Sequence, residues 1–226
     1  MTNKNRRNSL RYPGYDYTSC GAYYVTICTK WGQNLFGQVV NQEMVLNEVG
    51  HIAESCWLTI PDHHPHVELD EHVIMPNHMH GTLNIVSEIG SENEMEELAL
   101  SSVEDNSRAG FEIARHDPVV RKFGESIAGS LSTILGSYKA AVSREVNRSG
   151  LMPERMRWHR NFWDRIVRHD RALERYRSYM RANPARWQQD KLHPSMPFNK
   201  FNKEWRETAE YQRHLRNHKK NGLNHK

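Results

Sequence analysis

The sequence predicts an α+β sandwich, one antiparallel β-sheet with helices packed over an apolar face. Three observations lead there. Runs rich in β-branched and aromatic residues read as strands, chiefly at 22–29, 67–75 and 78–86. Stretches with apolar residues at helical spacing alternate with them, at 44–60, 126–147 and 171–183. The run 78–86 alternates strictly, with Met79, Gly81, Leu83 and Ile85 on one face and His78, His80, Thr82 and Asn84 on the other.

Residues 1–19 read as a loose basic arm. "AYYVTICT" (22–29) is a strand, and "NLFGQVV" (34–40) a second, shorter one. "MVLNEVGHIAESCWLTI" (44–60) reads as a helix with Val49, Ile52, Ala53 and Trp57 on one face, ended by "DHHPH". "VELDEHVIM" (67–75) alternates Val67, Leu69, Glu71, Val73 and Met75, a strand pattern with one charged exception. After Pro76 comes the alternating strand. Residues 87–117 are acidic, polar and aperiodic, and read as a flexible insertion. The helix at about 126–147 carries the stripe Ile127, Leu131, Ile134, Leu135, Tyr138, Val142 and Val146. "FWDRIVR" (162–168) is a strand. Asp170 is placed to cap the helix "RALERYRSYMRAN", which Pro184 stops. Beyond 188 the chain is polar and basic, with "EWRETAEYQRHLRN" as an exposed helix in a partly disordered tail. The order strand, helix, strand, strand, helix, strand, helix matches a ferredoxin-like sandwich. The expected organisation is an arm (1–19), one domain (20–187) interrupted by the insertion, and a basic extension (188–226).

Composition narrows the function classes. Of 226 residues, 37% are hydrophobic, enough for a core. The formal net charge of +4 hides an uneven distribution. Glu88 to Asp105 holds seven acids and no Lys or Arg, whereas Leu151 to Gln188 holds ten arginines against four acids. That cationic stretch suits a phosphate backbone. Three cysteines at irregular spacing argue against a disulfide framework or a CxxC zinc site and fit a reducing cytoplasm. No run approaches the length of a membrane span, and no apolar segment follows the basic N-terminus as in a secretory signal.

The stretch "IMPNHMHGTLNIV" (74–86) carries the chemistry. His78 and His80 point the same way on a strand, about 7 Å apart by strand rise, and can converge on one divalent ion. The plain alternative is two surface histidines in a chain with 14. A third ligand must come from elsewhere, and "YMRANP" (179–184) offers one. Tyr179 and Asn183 are i and i+4 on a helix and share a face. A phenol with a reference pKa near 10 is a poor nucleophile at neutral pH unless its target phosphate is polarised. A metal held by His78, His80 and the Asn183 amide oxygen would do that as a Lewis acid, and oxygen-rich ligation suits Mg²⁺ or Mn²⁺. The alternative is that Tyr179 packs in the core and Asn183 only ends the helix. Among the other tyrosines, Tyr138 and Tyr176 fall on apolar faces and read as core. Tyr179 lies on a different face, with Arg175 one turn before it.

"MPNHMHG" resembles the HUH motif of single-tyrosine transposases. "WHRNFWDRIVRHDRALERYRSYMRANP" resembles the C-terminal signature of the REP-associated tyrosine transposases, and "GSYKAAVSREVN" the helix between the two motifs. The resemblance covers about residues 12–187. It implies the HUH nuclease fold, His78 and His80 as metal ligands, and Tyr179 as the nucleophile on single-stranded DNA, giving a 5′-phosphotyrosine link and a free 3′-hydroxyl. It also implies imperfect-palindrome hairpins as substrate. Asn183 stands where many relatives carry a glutamine, which keeps the amide but shortens it by one methylene.

The arginine-rich stretch flanks the proposed nucleophile and is interleaved with Trp158, Phe162, Trp163 and Trp187, which can stack on unpaired bases. The candidate DNA contacts are Lys139, Trp158, Arg160, Arg165, Arg168 and Arg175. Two other classes stay open. One is a non-catalytic single-stranded DNA- or RNA-binding regulator on the same fold. The other is a metal-dependent hydrolase that uses "DHHPH". The expected state is a monomer or homodimer, in the cytoplasm with the nucleoid.

Overall fold

The computed structural model describes residues 15–86 and 127–197. Residues 1–14 of the expected arm, the whole acidic insertion 87–117 and the expected tail helix lie outside the described residues.

In chain order the elements are β1 (Gly21–Cys28), a hairpin of β2 (Gly37–Val40) and β3 (Glu43–Leu46), α1 (Glu48–Leu58), one turn of helix α2 (Ile60–His63), β4 (Val67–Met75), β5 (His78–Ile85), α3 (Leu131–Ser149), β6 (Trp163–Val167) and α4 (Asp170–Ala182). A 3₁₀ segment, Pro184–Gln189, follows α4 directly. The main sheet is antiparallel throughout, in the order β4-β5-β1-β6. With β2 and β3 set aside as a separate hairpin, this is the expected ferredoxin-like α+β sandwich.

β1 is a central strand paired along both edges, and layers packed on both faces of the sheet bury the unbroken run Tyr23, Tyr24, Val25, Thr26, Ile27 and Cys28. Tyr23, Val25 and Ile27 point into the core with Met79, Leu83 and Ile85 of β5. α1 contributes Val49, Ala53 and Trp57 to that core, and α3 the predicted stripe from Leu131 to Val146, while Ile127 precedes the helix and is only half-buried. Gly81 belongs to this face for a steric reason. A Cβ there would lie 2.4 Å from Cζ2 of Trp57.

The segment 44–60 is not one helix. Asn41 (φ 50) and Gln42 (φ 68) turn the chain through the left-handed region, the geometry of a two-residue hairpin. Met44 to Leu46 therefore pair with β2 as β3. Asn47 then starts α1, its side chain accepting from the backbone N of Gly50 at 2.9 Å. α3 begins later than expected because Ser130 caps it, accepting from Thr133 N. α4 is capped by His169, whose Nδ1 accepts from Ala172 N, and not by Asp170.

The second face of the sheet, with Tyr24, Thr26, His78, His80 and Thr82, is covered by α4 and the segment after it. α4 touches β4, β5 and β6. Trp187 and Leu192 are buried, and Asn77 Nδ2 donates to the Leu192 carbonyl at 2.8 Å. The chain past 187, expected to open a basic extension, is packed against the body as far as Leu192. Among the described residues no helix is long and apolar enough to cross a membrane.

Candidate active site

Pro76 and Asn77 separate β4 from β5, and β5 opens with the two histidines. Both are buried, at 0% and 4% exposure, so the pair does not open straight to solvent as its place at a strand start suggests. The rings sit at 72° with centroids 4.7 Å apart, and their Nε2 atoms face each other at 3.1 Å. Asn77 Nδ2 donates to the carbonyls of Gly32 and Leu192, which leaves Oδ1 to face His78 Nδ1 at 2.8 Å. His78 therefore carries its proton on Nδ1 and keeps a lone pair on Nε2. His80 Nδ1 is fixed at 2.8 Å by the hydroxyls of both Tyr24 and Thr26. Burial pushes the pKa of His78 down to about 3, and burial together with its neighbour His78 pushes that of His80 well below the usual imidazole value. Neutral imidazoles are what metal ligation needs, and the Asn77 contact turns the Nε2 lone pair of His78 towards His80.

The third group is one that spacing did not reveal. Asp190, at the end of the 3₁₀ segment, brings a carboxylate oxygen into a cluster with His78 and His80 whose ligand atoms all lie within 4.8 Å of one another. Asn183 lines the same cavity as His80 and Tyr179. It is 2% exposed, and its Oδ1 has no hydrogen-bond partner. A buried, unpartnered acceptor that lines the same cavity as the His80 imidazole and the Asp190 carboxylate fits a divalent cation. The 3.1 Å between the Nε2 atoms also matches the edge of about 3 Å between neighbouring ligands each held at about 2.1 Å. No other group of His, Cys, Asp or Glu among the described residues offers such a cluster. In "DHHPH", His64 Nε2 bonds Ser137 Oγ and His66 Nε2 faces the Gly129 carbonyl.

Tyr179 is 40% exposed. Its ring stands edge-on to His80 with centroids 5.2 Å apart. Burial and then the Asp190 carboxylate raise its pKa, while a hydrogen bond from Asn183 and the charge of Arg186 oppose the rise. On one side of Tyr179 lies a cavity of about 530 Å³ whose walls include Tyr24, Thr26, His80, Trp163, Arg165, Tyr176, Asn183 and Asp190. On the other lies a groove of about 390 Å³ lined by Arg171, Arg175 and Arg186. Tyr179 and Arg186 border both. Tyr176 is not a core residue. It stacks on Tyr24 at 4.2 Å and 11°, on the cavity side. Tyr138 is in the core as expected, donating to the Ala53 carbonyl.

The expected DNA contacts separate into two groups. Arg165 lines the cavity and Arg175 the groove, and Arg160 and Arg168 are exposed but line neither. Lys139 lies on α3, across the sheet from the site. Its ammonium donates to the carbonyls of His159 and Asn161 at 3.0 and 3.2 Å, and burial lowers its pKa to about 8. It ties down the loop that carries His159 and Asn161. Trp158 donates from Nε1 to the Lys139 carbonyl and packs on Phe36 and Tyr138. Phe162 packs against the core, and Trp187 is buried against His78. Of the four interleaved aromatics only Trp163 faces the cavity, stacked with His159 at 5.5 Å and 9°. The sequence reading missed Asp190, Arg171, Arg186 and Tyr24 as site residues. Helical spacing from Tyr179 and Arg175 marks Arg171, while nothing local marks Asp190.

No family model matches the chain. Among solved structures it is similar to a REP-associated tyrosine transposase bound to a REP hairpin, at TM-score 0.44 and 15% identity, covering 80% of this chain and 76% of that one. It is similar also to a provisionally named transposase from Deinococcus radiodurans R1, at TM-score 0.36 and 14% identity, covering 76% of this chain and 96% of that one. Likeness that remote assigns no function. In sequence the chain is 30% identical over 187 residues to an uncharacterized protein of Haemophilus influenzae, covering 83% of this chain and 93% of that relative. The chain belongs to the family of that Haemophilus influenzae protein.

Proposed function

We propose that the chain is a single-tyrosine HUH endonuclease and strand transferase that acts on single-stranded DNA with hairpin elements, with Tyr179 as the nucleophile. The observation that carries this reading is the meeting of Tyr179 with the histidine pair. A half-exposed phenol stands 5.2 Å, ring to ring, from His80, at the junction of a cavity and an arginine-lined groove. The motif resemblance supplies the substrate class.

In the reaction the Tyr179 oxygen forms a bond to the scissile phosphorus, and the bond from phosphorus to the 3′ oxygen breaks. The phenol loses its proton, and the departing oxygen gains one to become a 3′-hydroxyl. The strand is then linked as a 5′-phosphotyrosine. Attack by a 3′-hydroxyl reverses the step and rejoins a strand, so neither ATP nor water is consumed. A divalent cation, Mg²⁺ or Mn²⁺, held by His78, His80 and Asp190 with Asn183 as a further donor, would polarise the phosphate. The chain's own groups do the rest. The Asn183 hydrogen bond favours the phenolate of Tyr179. Arg171, Arg175 and Arg186 offer guanidinium groups to phosphates flanking the break. Tyr24, Tyr176 and Trp163 offer ring faces to unpaired bases in the cavity. One chain brings these parts together, which supports a site that needs no second copy. Such a substrate places the protein with the nucleoid in the cytoplasm.

The test is covalent trapping on a denaturing gel, with labelled hairpin oligonucleotides and Mg²⁺, Mn²⁺ or chelator. The wild type is expected to give a metal-dependent protein–DNA adduct, lost in Tyr179→Phe and in His78→Ala. An adduct that persists in Tyr179→Phe moves the nucleophile to another residue. Cleavage without an adduct that survives Tyr179→Phe points to water as nucleophile. Tight binding with neither leaves the non-catalytic regulator.

A further inference from the structure

α4 carries the proposed nucleophile, yet little apolar packing holds it. Along its 13 residues only Ala172 and Met180 are buried. Besides the stack of Tyr176 on Tyr24, its anchor is electrostatic. Arg177 grips Asp70 through Nε and Nη2, with three contacts of 2.8 to 3.2 Å. Arg181 pairs with Glu71. Glu174 joins both arginines from within the helix, at 3.5 and 3.3 Å.

The two acids come from an irregularity in the edge strand. β4 pairs Leu69 with Leu83 and then His72 with Gly81, so Asp70 and Glu71 together oppose the single residue Thr82. In a regular strand adjacent side chains point to opposite faces. The extra residue of a bulge breaks that alternation and re-aims a side chain. It lets two consecutive carboxylates reach one helix.

The helix geometry says what the clamp controls. Arg177 and Arg181 are i and i+4 and share a face, while Tyr179 between them lies about 200° round the axis. The ion pairs therefore hold one flank of α4 against β4 while Tyr179 stands on the other, beside His80. Rolling the helix about its axis is the motion these pairs oppose. A group about 6 Å from the axis moves about 1 Å for a roll of about 10°. A shift of that size is enough to cost about 100-fold in rate when reacting atoms must be aligned.

We propose that Asp70 and Glu71 are positioning residues, which clamp α4 through Arg177 and Arg181 and so set the place of Tyr179 over the histidine pair. The proposal rests on the reading of Tyr179 as the nucleophile. It also ties up within the chain two of the ten arginines of the cationic stretch 151–188.

The experiment uses the full chain with fluorotyrosine incorporated at position 179. Fluorine NMR reports the setting of the ring, and single-turnover trapping on a hairpin oligonucleotide reports adduct formation. Asp70→Asn is expected to shift and broaden the fluorine signal. It should slow adduct formation about 10- to 100-fold and leave hairpin affinity unchanged. The charge swap Asp70→Arg with Arg177→Asp is expected to restore both. A signal and a rate unchanged in Asp70→Asn overturn the clamp. So does a swap that melts like wild type yet restores neither. If Asp70→Asn does not fold, Glu71→Gln, at the more exposed pair, is read by the same criteria. If the wild type itself forms no adduct, the nuclease reading fails, and the fluorine signal alone still decides whether the clamp sets the ring.

Discussion

The two faces of the sheet are equally buried and chemically opposed. Under α1 and α3, β5 contributes Met79, Leu83 and Ile85, all apolar and all at 2% exposure or less. Under α4, the same strand contributes His78, His80 and Thr82, at 4% or less. The first face follows the ordinary rule that burying apolar surface stabilises. The second works against it. The Oγ1 of Thr82 and the Oδ1 of Asn183 are buried without hydrogen bonds, and each such group costs about 1–3 kcal/mol. The core face carries such an orphan too, at Trp57 Nε1, but only the second face sets buried histidines and a carboxylate close together beside an exposed tyrosine.

The largest effect that would sharpen the contrast is on the core face. Leu83→Ala is expected to remove about 2–5 kcal/mol of stability, read from urea unfolding, because Leu83 is wholly buried among Val25, Trp57 and the α3 stripe.

On the site face, stability should depend on pH through the histidines. Burial depresses their folded-state pKa values, that of His78 to about 3. The unfolded chain, with imidazoles near 6.5, therefore binds more protons between those limits. The contribution is fully present above pH 6.5 and is lost as pH falls towards about 3, at no more than about 1.4 kcal/mol per pH unit for each histidine. The difference in unfolding free energy between wild type and His78→Asn, followed from about pH 7 to about pH 5, isolates the term. A flat difference would mean that His78 titrates in the folded protein as it does in the unfolded chain.

The smallest effect is the most pointed. Thr82→Val is expected to leave stability unchanged or raise it by up to about 1 kcal/mol, since it replaces an unpartnered buried hydroxyl with a methyl of the same shape. A loss comparable to that of Leu83→Ala would mean the two faces are built alike after all.

Much of this contrast was legible beforehand. Alternation along 78–86 separates Met79 and Leu83 from His78 and His80 because strand side chains repeat every two residues. Helical spacing put Tyr179 and Asn183 together, and both line the cavity with His80. The β2–β3 hairpin was hidden because Asn41-Gln42 lacks the glycine that usually marks such a turn. The three apolar residues of β3, Met44 to Leu46, also continue the pattern of α1. The ten arginines looked equivalent by composition. Arg177 and Arg181 are spent on Asp70 and Glu71, while Arg175 lines the groove with Arg171 and Arg186. Lys139 and Trp158 looked available, and both are tied into the protein by their own polar atoms.

By itself the sequence determined the class of sandwich, the two faces of β5, the histidine pair and the tyrosine–asparagine pair. Each of these depends on a period within a single element, and a period is a local property of the chain. Packing between distant segments is what brings Asp190 to His78 and His80, aims Asp70 and Glu71 from a bulge at α4, and sorts the cations that face outward from those that do not. Those are meetings between segments far apart in the chain. Which segments meet is settled by how whole elements pack against one another, and the residues themselves carry no mark of it.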